Sequence, residues 1–342
     1  MNKLLLWEIR KQIIINALLV IIVAAFVAGL LVWRIRQNRT LPYSKDVYHS
    51  YMSQLTGELD DEKVEFIHNR LIEIEECIAA YEEYYSKYDN DLIDKSEYKE
   101  YIKKYEIAAA EYETVAYIVQ KIDYLNEVKS FKTYLFYDTE WMELFTRGGG
   151  QYYVLIVAAV LISSLCFARE YASNSVANLK TSKYGTYKIA LCKIVICSAG
   201  VMLLSVLMNG VGLLLYMKPG NVKHMNEAIG NVLLTENYSD ASIIKVYLLD
   251  SVLKSCAIGS CAAITCVVAV TIRNLLYTIP ISVSILAAIK YLGKLSLFGR
   301  TIVDFSGIYP NQAWYIWTLV AVIAVLLICN LCTTILWNRA GK

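Results

Sequence analysis

Few residues of this 342-residue chain have the types and spacing that chemistry needs. The three histidines, His49, His68 and His224, stand far apart, outside every long apolar run and away from metal-ligand spacing. Of the nine cysteines, Cys166, Cys192, Cys197, Cys256, Cys261, Cys266, Cys329 and Cys332 lie in or beside apolar runs, where a thiol behaves as a small apolar side chain. Cys77 alone sits in a polar region, which therefore cannot hold an internal disulfide. Asp89, Asp91 and Glu100 fall on the first, third and twelfth places of a calcium loop, but Ile93 takes the fifth place and Asp94 the sixth, where glycine is required. A solvated turn is the better reading. Gly293-Lys294 lacks the earlier glycine of a P-loop and is followed by Leu295 in place of Ser or Thr, so no ATP-hydrolysing loop is present. The sequence thus predicts no enzyme, no metal site and no cofactor in this chain. Lys254 and Lys290 lie at the edges of apolar runs and could mark a proton or substrate path, but a lysine near a span end is expected to snorkel to the interface.

Composition says what kind of body carries these residues. The chain is 57% hydrophobic and 19% charged, against roughly half and a quarter in soluble domains. Residues 40–146 hold 24 of the 31 acidic residues but 11 of the 33 Lys and Arg, a net of −13, which leaves +15 on the rest. An acidic water-soluble block is set into a basic, apolar remainder. This excludes a soluble enzyme, and nucleic acid is not an expected partner because the soluble part repels phosphate.

A hydrocarbon layer of ~30 Å needs about 20 apolar residues per helix. Six such runs are predicted: 12–33, 148–168, 194–217, 247–272, 275–297 with Pro280 inside it, and 314–337. The expected fold is therefore an all-α integral membrane protein with both termini on one side. Segments 34–147, 218–246 and 298–313 would lie on the opposite side from 1–11, 169–193 and 338–342. The first run is too long for a cleaved signal and ends in Trp33-Arg34-Ile35-Arg36, so it is expected to persist as an anchor. Lys3, Arg10, Lys11, Arg169, Lys180, Lys183, Lys188, Lys193, Arg273, Arg339 and Lys342 favour a cytoplasmic N-terminus and an extracellular acidic block, against Arg34, Arg36 and Arg39.

The acidic block has its own period. Val64, Ile67, Leu71, Ile74, Ile78, Tyr81, Tyr85 and Tyr88 step by alternating threes and fours, and so do Tyr98, Tyr101, Tyr105, Ala108, Tyr112, Val115, Val119 and Ile122. Asp89 to Asp94 between them form a turn. A tyrosine-rich helical hairpin with arms of roughly 40 Å follows, with Asp60 or Asp61 as N-cap and a shorter helix over Leu41–Leu55 before it.

The segment after the second run places Phe167, Glu170, a small-residue helix, Leu179, Thr181-Ser182, Gly185 and Lys188 in that order. This pattern resembles the loop of the permease subunits of type 2 ATP-binding-cassette (ABC-2) exporters, although Ser173 to Ser175 stand where the family usually has glycine. Leu4 to Lys11 is similar to that family's interfacial helix before the first span, and the long helical insertion resembles a Gram-positive subgroup. The resemblance implies a separate ATPase subunit that binds ATP and Mg, a second permease copy or homologue, and surrounding membrane lipid of the bacterial plasma membrane. It also implies that Glu170, Tyr171, Val176, Leu179 and Lys180 couple to the ATPase, and that Trp7, Glu8, Arg10 and Lys11 belong to the interfacial helix. The expected function is export of a hydrophobic or amphiphilic substrate, such as an antimicrobial peptide or a lipid. The alternative is a membrane scaffold or sensor whose outer hairpin binds a partner. An intramembrane enzyme is disfavoured by the lack of histidine in the runs.

Overall fold

The computed structural model describes residues 6–8, 10–11, 21–30, 32, 43–127, 132–147, 149–173, 176, 179, 187–216, 222–232, 241–293 and 312–339. Lys180, the Thr181–Gly185 turn, Arg34, Arg36, Arg39, the 298–313 loop and most of the first apolar run outside 21–30 lie beyond the described residues. The described chain is overwhelmingly helical: α1 (Lys45–Leu55), α2 (Asp61–Ala79), α3 (Tyr81–Asp89), α4 (Lys95–Glu127), α5 (Thr139–Arg147), α6 (Gly149–Ala172), α7 (Tyr187–Tyr216), α8 (Ile243–Ile272), α9 (Leu275–Gly293) and α10 (Gln312–Arg339). Two short strands, β1 (Gly57–Glu58) and β2 (Tyr134–Leu135), pair antiparallel. The chain divides into one compact unit of residues 1–37, 143–216 and 245–342, and another of 38–142 with 217–244.

The first unit is the apolar one. Among the described residues four helices are long and apolar enough to cross a membrane, within α6, α7, α8 and α10, with shorter apolar helices at Ile21–Leu30 and Leu275–Tyr291. This protein is thus an α-helical membrane protein. Helix α7 begins at Tyr187, before the uncharged run expected from residue 194, and so carries the ion-paired Lys193 inside it. Helix α8 ends where Arg273 adopts a left-handed φ of 60° and donates its N–H to the Ala269 carbonyl at 3.0 Å. Asn274 then caps α9 by accepting from the Leu276 N–H at 3.0 Å. Two residues therefore end one helix and begin the next.

The second unit contains the hairpin. Asp60 is its N-cap, accepting from the Lys63 N–H at 2.9 Å, and that bond holds the Asp60 carboxyl below its ordinary range. Helix α3 closes with Asp91 at φ 54° while the Leu92 and Asp91 N–H groups reach back to the Lys87 and Tyr88 carbonyls at 2.8 and 3.1 Å. This pattern satisfies the last carbonyls of the helix, so the acidic turn ends a helix. The tyrosine seam is only partly as expected. Tyr81 packs on Tyr105 and Tyr88 stacks on Tyr98, at ring-centre distances of 4.6 and 4.3 Å. Tyr85 and Tyr112, however, are 49% and 39% exposed, and Tyr84 stacks on Tyr101 instead at 4.0 Å. The helix is interrupted at Ala80, and beyond it Tyr84 takes the place facing the second arm that the heptad phase gives to Tyr85.

At the base of the hairpin, Tyr48 and Met52 of α1, Ile67 and Ile74 of α2, Val115, Ile118 and Ile122 of α4 and Leu135 form the core. Residues 222–232, expected as part of a separate loop, join this unit. The Asn231 side chain accepts from the Tyr134 N–H at 3.1 Å, and His224 stacks on Phe136 at 4.6 Å. Ile72 is 51% exposed and Ile74 1%, so Ile74→Val should cost about 1 kcal/mol and Ile72→Val almost nothing. Thermal unfolding of the two variants checks the seam.

Within the same core Lys121 and Asp138 form a fully buried ion pair at 2.6 Å. The Tyr48 hydroxyl donates to the other Asp138 oxygen at 2.7 Å. Burial first, and then the Asp138 charge, push the Tyr48 hydroxyl well above its ordinary range, so it remains a neutral donor.

Candidate functional site

One end of the apolar unit gathers most of the residues that the sequence singles out. The end of α6 brings Cys166 and Phe167, the start of α7 brings Ala190 and Ile194, α8 brings Cys266, Ala269 and Val270, and α10 brings Trp337. These form one apolar core. Ala190, Ala269 and Trp337 are all fully buried within it.

Four alternating charges adjoin this core. Lys193 Nζ donates to Glu170 Oε1 at 2.6 Å, and Lys11 Nζ donates to the same oxygen at 2.7 Å. On its other side Lys193 stands 3.6 Å from Glu8. Glu8 and Lys193 are completely buried and Glu170 nearly so. Among the described residues the set carries two positive and two negative charges. Neutrality of this kind is what a buried ionic cluster requires, because each unpaired ion would cost several kcal/mol. Among the described residues neither Glu8 carboxylate oxygen accepts a hydrogen bond. The Glu8 contact is thus a loose electrostatic one, whereas the Glu170 contacts are charge-assisted hydrogen bonds.

The other expected coupling residues surround this cluster. The Tyr171 ring packs edge-on against Trp337 with centres 5.7 Å apart, and the Arg273 guanidinium lies 5.7 Å from the centre of the same tyrosine ring. Val176 packs against the apolar core, while Leu179 is helical and half-buried. Trp7 is exposed, with the Lys11 ammonium 5.3 Å from its ring centre, and Arg10 is exposed. Tyr171 and Val176 therefore face the helix bundle, and they are anchors of the segment rather than a free docking face.

Three participants were not among the expected site residues: Lys193, Arg273 and Trp337. Lys193 was legible only as a basic residue opening a helix. The left-handed backbone of Arg273, where a bulky residue is uncommon, is a tertiary feature with no signal in the sequence. Among the described residues no group of His, Cys, Asp and Glu is placed to hold a metal ion. The charges of the cluster instead tie described residues of the N-terminal segment, the end of α6 and the start of α7 together. No family-wide sequence profile, no curated protein and no solved structure matches this chain.

Proposed function

We propose that this chain is the permease subunit of an ATP-driven exporter of the ABC-2 type, moving a hydrophobic or amphiphilic substrate with work supplied by a separate ATPase subunit. In this reading the chain crosses the membrane six times, with both termini cytoplasmic, the hairpin unit outside and a second permease copy or homologue beside it. The observation that carries the proposal is the anchoring of Glu170, Tyr171 and Val176. A permease without an ATPase of its own needs a segment that a partner can push and that is fixed to the spans. Glu170 is held by Lys11 and Lys193, Tyr171 by Trp337 and Arg273, and Val176 by the apolar core. Force applied near Leu179 would thus reach α6, α7, α8 and α10 together.

Leu179→Asp tests this by placing a charge where the partner would seat. Co-purified ATPase and transport should fall together by about tenfold or more, as for loss of an apolar anchor, while inserted protein stays near the wild-type amount. Val176→Asp should instead lower the inserted amount, since Val176 packs within the bundle. Unchanged ATPase binding in Leu179→Asp, or no ATPase partner in the wild type, would overturn the exporter reading.

The scaffold or sensor reading is favoured by one observation. An open groove of about 630 Å³ in the hairpin unit is lined by Tyr51, Phe66, Arg70 and Glu111, among others. If the outer unit is the working part, removing Phe66 will abolish activity and Leu179→Asp will not.

A further inference from the structure

A second polar centre lies within the apolar unit, toward the opposite end of α6. Tyr152 and Glu170 are both on α6, roughly 27 Å apart by helical rise. Asp250 and Lys254, one turn apart on α8, form an ion pair at 2.6 Å, and both are buried. Lys254, expected to snorkel to the interface, instead turns inward, with its ammonium 5.3 Å from the centre of the Tyr152 ring. Asn209 Oδ1 accepts from the Tyr152 hydroxyl at 2.7 Å and from the Gln151 amide at 3.1 Å. The Tyr247 hydroxyl donates to the Asn209 carbonyl at 2.8 Å. Helices α6, α7 and α8 thus each contribute to one polar cluster.

Stability alone does not explain it. Two leucines in place of a buried ion pair would serve the fold at least as well, and ionisable groups in spans ordinarily mark function. The cluster is also unfilled. Asp250 Oδ1, Gln151 Oε1 and Asn209 Nδ2 are buried, and among the described residues no hydrogen bond reaches them. Two of these three atoms are acceptors, one of them on a formal anion, and the tyrosine rings add faces that attract cations. An anionic ligand would find Lys254 already committed to Asp250. Leu253 and Ala257, buried on the same face of that helix, supply apolar surroundings for a chain attached to the ligand's head.

We propose that this centre binds the primary ammonium group of an amphiphile, and that the Lys254 ammonium holds that group's place when no ligand is present. The inference deepens the exporter reading by naming the chemistry of its cargo and rests on that reading only in calling the ligand cargo. Binding itself requires neither ATP nor the partner subunit.

The test is thermal unfolding of the purified full-length chain in dodecyl maltoside, titrated with dodecylamine. Dodecanol and dodecyltrimethylammonium serve as controls, the second keeping the charge without N–H donors. Dodecylamine should raise the unfolding temperature where the controls do not. Asp250→Asn should require about tenfold more amine, the loss expected for one charge-assisted hydrogen bond. Lys254→Met, which removes the internal competitor and leaves Asp250 uncompensated, should respond at lower concentration. Gln151→Leu keeps the ion pair and should weaken the response several-fold, which decides the matter if the charge variants fail to fold. Nanodiscs with and without phosphatidylethanolamine separate two sources of the group. Stabilisation by the lipid assigns a lipid headgroup, and a response to dodecylamine alone assigns a free amine. Equal responses in wild type, Asp250→Asn and Gln151→Leu, or no response in wild type, would overturn the proposal. Either failure would leave the Leu179→Asp result, and with it the exporter reading, untouched.

Discussion

Lys193→Met will destabilise the apolar unit by about 3–5 kcal/mol, the cost typical of removing one partner from a buried ion pair. Lys193 bridges Glu170 and Glu8, so its loss leaves two buried carboxylates with Lys11 as their only cation in the cluster. Lys11 is partly exposed, and Lys11→Met should cost no more than about 1 kcal/mol. The double variant Glu8→Gln with Lys193→Met restores neutrality, since Lys11 and Glu170 still pair, and should recover much of the loss. Unfolding in detergent measures both steps as a cycle. Equal destabilisation by the single and the double variant would show that Lys193 acts through packing and not charge. Transport should fall in Lys193→Met and return in part with the double variant.

Lys121→Met will have an effect of similar size in the hairpin unit. Among the described residues Asp138 would keep only the Tyr48 hydroxyl as side-chain partner, and the same cost of about 3–5 kcal/mol applies. For a unit of this size that corresponds to roughly 10–20 °C in unfolding midpoint. Replacing the whole set by Lys121→Met, Asp138→Leu and Tyr48→Phe removes every buried polar group of the trio and should restore most of the stability. Limited proteolysis of the full chain, read as the rate of cleavage within residues 43–127, follows the opening of this unit. A triple variant as fragile as Lys121→Met would show that the trio specifies the fold and is not merely satisfied within it.

The sequence alone determined what local periodicity and composition control. Four of the six apolar runs expected to span a layer, the Asp60 cap, the turn after Tyr88 and the two arms of the hairpin follow from residues close together in the chain. Helical hydrogen bonds and caps are made between such near neighbours, which is why these features were legible. The tyrosine seam was legible only in part, because the interruption at Ala80 changes which tyrosine meets the partner arm. The charge pairings were decided by tertiary structure. Lys193 reads as a basic residue at a helix start, yet it sits in the interior because Glu170 and Glu8 are brought to it. Lys121 and Asp138, 17 residues apart, are paired likewise; Asp250 is Lys254's local neighbour one turn away, but that both face the interior beside Tyr152 is set by the packing. A charge enters a low-dielectric core only where an opposite charge meets it. Sequence shows where each charge lies along the chain, but only the packed helices decide which opposite charge stands within 4 Å.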